Sequence, residues 1–183
     1  MPRKSSPTGQ KVLLLLLAGV ALGLTYSLQR QARIVKELQH EWRKIDRRKL
    51  GNAIRQFYKS KLIEAHKNQD GTSTFVLSEK GKLRALTYRF ENMQIQTNAW
   101  DGKWRLVAFD VPEKIKPARE ALRRKLRELG FYEFQKSVFV FPYECKDEID
   151  FIIEFFNMRP YVRYGVLEVI DNDLHLRKIF KLE

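Results

Sequence analysis

The stretch that most constrains the fold is residues 104–144, where the apolar pattern predicts a strand, a helix and two further strands. Leu106–Phe109 is a short, fully apolar strand, and Val111-Pro112 ends it because proline cannot donate to a sheet ladder. The helix has basic residues on its outer face and Gly130 as a left-handed cap. Its apolar residues recur at helical spacing: Ala118, Ala121, Leu122, Leu126 and Leu129. Two segments rich in aromatic and β-branched residues then predict strands: Phe131–Gln135 and Val138–Tyr143.

The same stretch carries a family resemblance. It contains FDVPE at 109–113, a basic helix, GF at 130–131 and QKSVFVFP at 135–142. This order resembles the small ferredoxin-like CRISPR-associated adaptation protein that is the second of its series. It is equally similar to the central domain of PaaX-type transcriptional repressors, where such a domain follows an N-terminal winged helix. The resemblance covers roughly Asp101–Glu183 and implies homodimerisation through the sheet.

The rest of the C-terminal half predicts one more helix and two more strands. Asp147 and Glu148 begin the helix, since acidic residues suit a first turn. Its buried side consists of apolar residues at helical spacing: Ile149, Ile152, Ile153 and Phe156. Tyr161–Ile170 is the fourth strand, and Leu174–Phe180 is a short closing strand. Apolar residues point to both faces of this sheet, so a second protomer or the N-terminal domain is expected to cover the second face.

The predicted fold class is therefore α+β, with an N-terminal winged helix-turn-helix and a ferredoxin-like βαββαβ domain. We expect the DNA-binding domain at residues 10–90, a linker at 91–99 and the dimerisation domain at 100–183. Residues 1–97 hold 19 Lys and Arg against 7 Asp and Glu, whereas residues 98–183 hold 16 against 15. Nearly all of the net charge of +13 thus lies in the N-terminal half, where it would attract a polyanion.

Cysteine and histidine usage restricts the chemistry. Cys145 is the single cysteine, so an intrachain disulfide and a cysteine-based zinc site are excluded, and a cytoplasmic location is expected. His40, His66 and His175 show no metal-ligand spacing. The sequence also lacks GxSxG, P-loop and GxGxxG motifs.

An unbroken apolar run, Val12–Leu24, follows three basic residues near the N-terminus. Its 13 residues would span about 20 Å as a helix, less than the roughly 30 Å of a bilayer core. We interpret Val12–Tyr26 as the buried first helix of the winged helix and expect no membrane partner. A secretory signal or membrane anchor is the alternative, since signal sequences have apolar runs of this length.

The third predicted helix is the candidate recognition helix. Gln29–Trp42 precedes it as the second helix, and Asp46 is its expected N-cap. Polar side chains fill its outer face and are the predicted DNA-binding residues: Arg47, Arg48, Lys49, Asn52, Arg55, Gln56 and Lys59. Arg, Asn and Gln can form bidentate contacts with base edges in the major groove. Contacts to phosphates alone are the alternative.

A hairpin is predicted next. Asp70-Gly71 lies between the strands Leu62–Ala65 and Thr74–Leu77, and such turns need positive φ. The hairpin resembles the wing of many bacterial regulators, including the PaaX type. Lys67 and Asn68 are its predicted DNA-binding residues. A helix over Gly81–Phe90 completes the domain.

Asp110 is the one residue with a predicted catalytic or metal-binding role. In the CRISPR adaptation proteins that the chain resembles, an aspartate at the end of the first strand can bind a divalent metal, with both protomers contributing. The resemblance thus implies Mg²⁺ at Asp110; the alternative is an aspartate that only ends the strand before proline.

The sequence leaves two functional hypotheses open. The first is a dimeric regulator of PaaX type, expected to act as a repressor, that binds double-stranded DNA and needs no cofactor to do so. The second is a magnesium-dependent nuclease, or a DNA-holding subunit of a CRISPR adaptation complex, with a winged helix attached.

Overall fold

The computed structural model describes the backbone of residues 6–22 and 28–182, and the side chains of these residues outside 19–34. The chain divides into two compact units, with the boundary between Asn92 and Met93. In the part of the chain that is described, no helix combines the length and the apolar character needed to cross a membrane.

The N-terminal unit contains helices on either side of a two-stranded hairpin. Its elements are α1 (Pro7–Leu22), α2 (Leu28–Arg43), α3 (Arg47–Lys59), β1 (Ile63–Lys67), β2 (Ser73–Leu77) and α4 (Glu79–Glu91). The observed α1 begins five residues before the predicted Val12, and residues 23–26 of that prediction lie outside the described residues. The other elements lie where the sequence pattern predicts them, within two residues at most ends.

The apolar run near the N-terminus supplies the core of this unit. Val12, Leu13 and Leu15 are buried in a cluster that also contains Phe57 of α3 and Ile63 of β1. Because burial of each large apolar side chain contributes about 1.5–3 kcal/mol, α1 is a main source of the stability of this unit. The interpretation of this segment as a core helix is therefore confirmed for the residues described.

The hairpin is anchored at its base and exposed along its length. Antiparallel pairing runs from Ile63 opposite Leu77 to Lys67 opposite Ser73, and only the first pair is buried. Gly71 has a φ of 82°, as the predicted turn requires. The hairpin is therefore exposed beyond its base, including the apolar side chains of Phe75 and Val76.

A close backbone contact joins the base of the hairpin to α4. The Ser78 hydroxyl accepts a hydrogen bond from the Gly81 amide at 3.1 Å and so caps the helix. A methyl group added at Gly81 would lie 1.9 Å from the Leu62 carbonyl oxygen. Glycine is therefore required where α4 begins.

The C-terminal unit is a ferredoxin-like domain with an added helix. Its elements are β3 (Trp104–Phe109), a 3₁₀ turn (Glu113–Ile115), α5 (Lys116–Glu128), β4 (Tyr132–Gln135), β5 (Val138–Phe141), α6 (Lys146–Phe155), β6 (Val162–Leu167) and α7 (Asp173–Phe180). The four strands form an antiparallel sheet in the order β4-β5-β3-β6. The predicted βαββαβ order and the α+β class are confirmed for this domain.

The predicted closing strand is wrong, because residues 173–180 form helix α7. Leu176 and Phe180, one helical turn apart, pack in the same cluster. Asp173 accepts hydrogen bonds from the Trp104 indole at 2.9 Å and from Arg177, four residues on, at 2.7 Å. These i,i+4 pairs stabilise a helix, although Leu174 and Leu176 alternate as in a strand.

Helix α7 also corrects the expectation about the second face of the sheet. Trp104 and Val140, which point to that face, are buried in a cluster with Leu176. The chain's own C-terminal helix thus covers this part of the face, where a second protomer or the N-terminal domain was expected. Ala108 and Val138, farther along the same face, line an open depression.

Candidate nucleic-acid interface

Helix α3 presents an apolar side to the core and a cationic side to solvent. Asp46 caps the helix as predicted, since its carboxylate accepts from the Lys49 amide at 2.9 Å. Ala53 and Phe57 are buried. The core thereby fixes how the helix is rotated about its axis.

Four polar side chains form a stripe opposite the buried side of α3. Arg48, Asn52, Arg55 and Lys59 follow one another at intervals of four, three and four residues, and all are exposed. Residues at such intervals lie along one face of a helix. Arg47, Lys49 and Gln56, on the flanks of this stripe, are also exposed. The structure thus brings together all seven residues predicted on this helix.

The charge of the stripe is not neutralised locally. The sequence of α3 contains five Lys and Arg and no Asp or Glu. Within the described parts of the chain, none of these five cations forms an ion pair. Arg55 instead donates to the Asn52 side-chain oxygen at 2.6 Å, which holds its guanidinium along the stripe. The ammonium and guanidinium groups are therefore available to an anionic partner.

The two predicted residues of the hairpin differ in what they do. Lys67 is exposed at the end of β1. The Asn68 side-chain amide donates to the hydroxyls of Thr72 at 2.8 Å and Thr74 at 3.0 Å. Asn68 therefore shapes the turn, a role that depends on residues four and six positions away and that the sequence pattern did not reveal.

Asp70 strengthens the same turn. Its carboxylate accepts from the hydroxyl of Thr72 at 2.6 Å and from the amide of Thr72 at 2.9 Å. These hydrogen bonds, the hydroxyl first, hold the pKa of Asp70 below its usual value. The hydrogen bonds of Asn68 and Asp70 therefore restrict the conformation of the hairpin tip.

The basic helix of the C-terminal unit offers a contrast. Arg119 pairs with Glu113 at 3.0 Å, while Arg123 and Arg127 both pair with Glu133 on the neighbouring strand β4. The two arginines, Arg127 first, hold the pKa of Glu133 below its usual value. Five of the six Lys and Arg residues of α5 form ion pairs with carboxylates: Lys116, Arg119, Arg123, Lys125 and Arg127.

A buried arginine is held by two carboxylates in the same unit. Arg105, on β3, donates to Asp101 at 2.6 Å, to Glu144 at 3.1 Å and to the Pro142 carbonyl at 2.9 Å. Its hydrogen bond to Asp101 lowers the pKa of that carboxyl to about 2. This arginine is buried, and its guanidinium is paired with carboxylates of the same domain.

Asp110 lies at the end of β3, exposed, and its amide donates to the Tyr161 carbonyl at 2.9 Å. It lines the open depression of about 550 Å³ that Ser137 and Arg163 also line. Glu113 is absent from this lining and pairs with Lys116 and Arg119 instead. No cluster of three or more His, Cys, Asp or Glu side chains exists among the described residues. Among the residues that line this depression, Asp110 is the one carboxylate.

Comparison with known families identifies the C-terminal unit. Residues 97–175 match the family model of the PaaX protein central Cas2-like domain. This match confirms the resemblance inferred from FDVPE and QKSVFVFP: the C-terminal unit is similar to the central domain of PaaX-type proteins. No curated protein matches the chain.

Proposed function

We propose that the protein, whose C-terminal unit matches the PaaX central domain, is a DNA-binding transcriptional regulator of PaaX type. In this proposal it acts as a repressor in the cytoplasm. In this proposal the N-terminal unit is a winged helix-turn-helix, with α3 as the recognition helix and the β1–β2 hairpin as the wing. The observation that carries it is the exposed, unpaired cationic stripe on α3.

The chemistry of the stripe suits duplex DNA. Its arginines and lysine would neutralise phosphates and release counterions, which gives affinity. Arg55 and Asn52, coupled by their hydrogen bond, have donor groups that can reach base edges in the major groove. An exposed helix about 20 Å long with a hairpin beside it has dimensions that a major groove can accept.

We also propose that the C-terminal domain forms a homodimer through its sheet. Ala108 and Val138 are half-buried and line the depression on an apolar part of the second face. A second protomer would cover this part and would place two α3 helices on a two-fold symmetric DNA site. Sedimentation equilibrium of the full-length protein tests the dimer, and a monomer at all concentrations would refute it.

The test of DNA binding uses the full-length protein and a fluorescein-labelled duplex of arbitrary sequence. We expect fluorescence anisotropy to show binding that weakens steeply between about 50 and 200 mM salt, because several phosphate contacts are lost together. Binding that is absent at low salt, or that does not respond to salt, would refute the proposal.

The same samples, with and without Mg²⁺, test the nuclease alternative. We expect the duplex to stay intact in both. Magnesium-dependent cleavage that Asp110→Ala abolishes would instead favour a nuclease in which the Asp110 residues of two protomers cooperate.

A further inference from the structure

A groove of about 640 Å³ opens beside the C-terminal end of α3, next to the stripe. It is lined by residues from the end of the helix, the following turn and strand β1: Tyr58, Lys59, Lys61, Ile63, Glu64, Ala65 and His66. Lys59 belongs both to this groove and to the cationic stripe. The groove therefore continues the proposed DNA-binding surface past the end of the helix.

The turn that begins the groove has an unusual residue at its centre. Helix α3 ends with hydrogen bonds from the Lys61 amide to the Tyr58 carbonyl at 3.1 Å and from the Leu62 amide to the Phe57 carbonyl at 2.9 Å. This is a Schellman motif, whose central residue adopts the left-handed conformation and is most often glycine. Here that residue is Lys61, with a φ of 57°.

The fold does not need a lysine side chain at this position. Its carbonyl accepts from the Ser78 hydroxyl at 2.8 Å, but any residue could supply that group. In the described part of the chain, the Lys61 side chain forms no hydrogen bond and no ion pair. Left-handed backbone strains a residue with a Cβ, so lysine at this turn is less stable than glycine would be.

A second exposed side chain in the groove has a matching chemistry. Tyr58 retains 60% of its surface exposed, the highest exposure among the large apolar and aromatic residues of α3. Its phenol can donate a hydrogen bond to a phosphate oxygen, and its ring can pack against a sugar. Lys59 and Lys61 also line the groove, and Glu64 is the one carboxylate among its lining residues.

We propose that Lys61 and Tyr58 bind the phosphate backbone of duplex DNA at the edge of the major groove that α3 enters. This second contact would anchor the helix on DNA. This inference rests on the proposed function and adds residues to the binding surface. In this proposal the Lys61 ammonium, which has no partner in the described part of the chain, is used for binding.

Lys61→Gly separates binding from folding, because glycine suits the left-handed turn. We expect this full-length variant to have a higher urea midpoint of unfolding than the wild type. Its affinity for the labelled duplex should fall about 3- to 10-fold near 100 mM salt, and the slope of log K against log salt should decrease by about one. Tyr58→Phe should show a smaller loss of affinity with no change in this slope.

The chain offers a matched control. Lys181 follows α7 in the C-terminal unit and is also left-handed, with a φ of 54°. Lys181→Gly should raise the urea midpoint in the same way and leave the affinity and the salt slope unchanged.

The outcomes distinguish this inference from the proposed function. If the wild type binds the duplex but Lys61→Gly binds with unchanged affinity and slope, the inference is refuted and the proposed function stands. If the wild type does not bind the duplex, both are refuted. If Lys61→Gly lost affinity for an RNA hairpin but kept its affinity for the duplex, the assignment to DNA would be refuted.

Discussion

Helices α3 and α5 look alike in sequence and differ in what surrounds them. Each is amphipathic and rich in Lys and Arg. Three of the four arginines of α5 pair with carboxylates on the preceding turn and on strand β4, at Glu113 and Glu133. The cations of α3 meet no carboxylate in the described residues. A basic helix therefore indicates a binding surface only when the rest of the fold leaves its charges unpaired.

The two helices also differ in how their charges affect stability. Arg55 and Lys59 on α3 are four residues apart, and like charges at this spacing destabilise a helix by about 0.2–0.5 kcal/mol. On α5 Arg123 and Arg127 are spaced in the same way, but Glu133 binds both. The unpaired charge on α3 lowers stability slightly, and a polyanion would reverse this effect.

The largest expected effect follows from reversing the charge of the stripe. Arg48→Glu with Arg55→Glu changes the charge by four, so duplex affinity should fall about a thousand-fold at 0.1 M salt. The urea midpoint should stay close to that of the wild type, because neither arginine is ion-paired. Titration of the labelled duplex followed by urea unfolding measures both quantities.

The corresponding double substitution on α5 should lower stability and leave DNA affinity unchanged. Arg119→Glu with Arg123→Glu places carboxylates beside Glu113 and Glu133, so the urea midpoint should fall while affinity for the duplex is retained. If this variant lost affinity as strongly as the α3 variant, the distinction between the two helices would be wrong.

A third prediction concerns the buried arginine of the C-terminal unit. Arg105→Ala removes the donors to Asp101, Glu144 and the Pro142 carbonyl, and should lower the free energy of unfolding by about 3 kcal/mol. Arg124 on α5 is exposed and is its control: Arg124→Ala should change stability by less than about 0.5 kcal/mol. Equal effects of the two substitutions would show that burial and pairing do not set the contribution of these cations.

The smallest effect concerns pH. Glu133→Gln should lower the free energy of unfolding by about 1 kcal/mol at neutral pH, since the carboxylate pairs with two arginines. The pKa of Glu133 is below its ordinary value of 4.5 in the folded state. Its contribution is therefore complete above about pH 4.5 and is lost as pH falls through the folded pKa. Urea unfolding across this range should show the difference between wild type and variant vanish in acid; a constant difference would contradict the assignment.

Much of this fold could be predicted from the sequence because the decisive signals are local. Asp46 caps α3, Gly71 forms the turn of the hairpin, and apolar spacing locates α5 and α6. The exposed face of α3 follows from the same spacing. All seven predicted residues on this helix are exposed in the structure.

The features that could not be predicted depend on distant contacts. Residues 174–180 were predicted as a closing strand but belong to helix α7, whose first residue, Asp173, bonds to Trp104, 69 residues away. The role of Asn68 depends on two threonines across the turn. The left-handed backbone conformation of Lys61 could not be predicted from the sequence, since most left-handed residues are glycine.

The most direct test of the central claim is the salt dependence of duplex binding for two single variants of the full-length protein. Arg55→Gln removes an unpaired cation, and Arg123→Gln removes a paired one. The account predicts that the slope of log K against log salt falls by about one in Arg55→Gln and stays at the wild-type value in Arg123→Gln. Equal slopes in the two variants, or a change confined to Arg123→Gln, would contradict it.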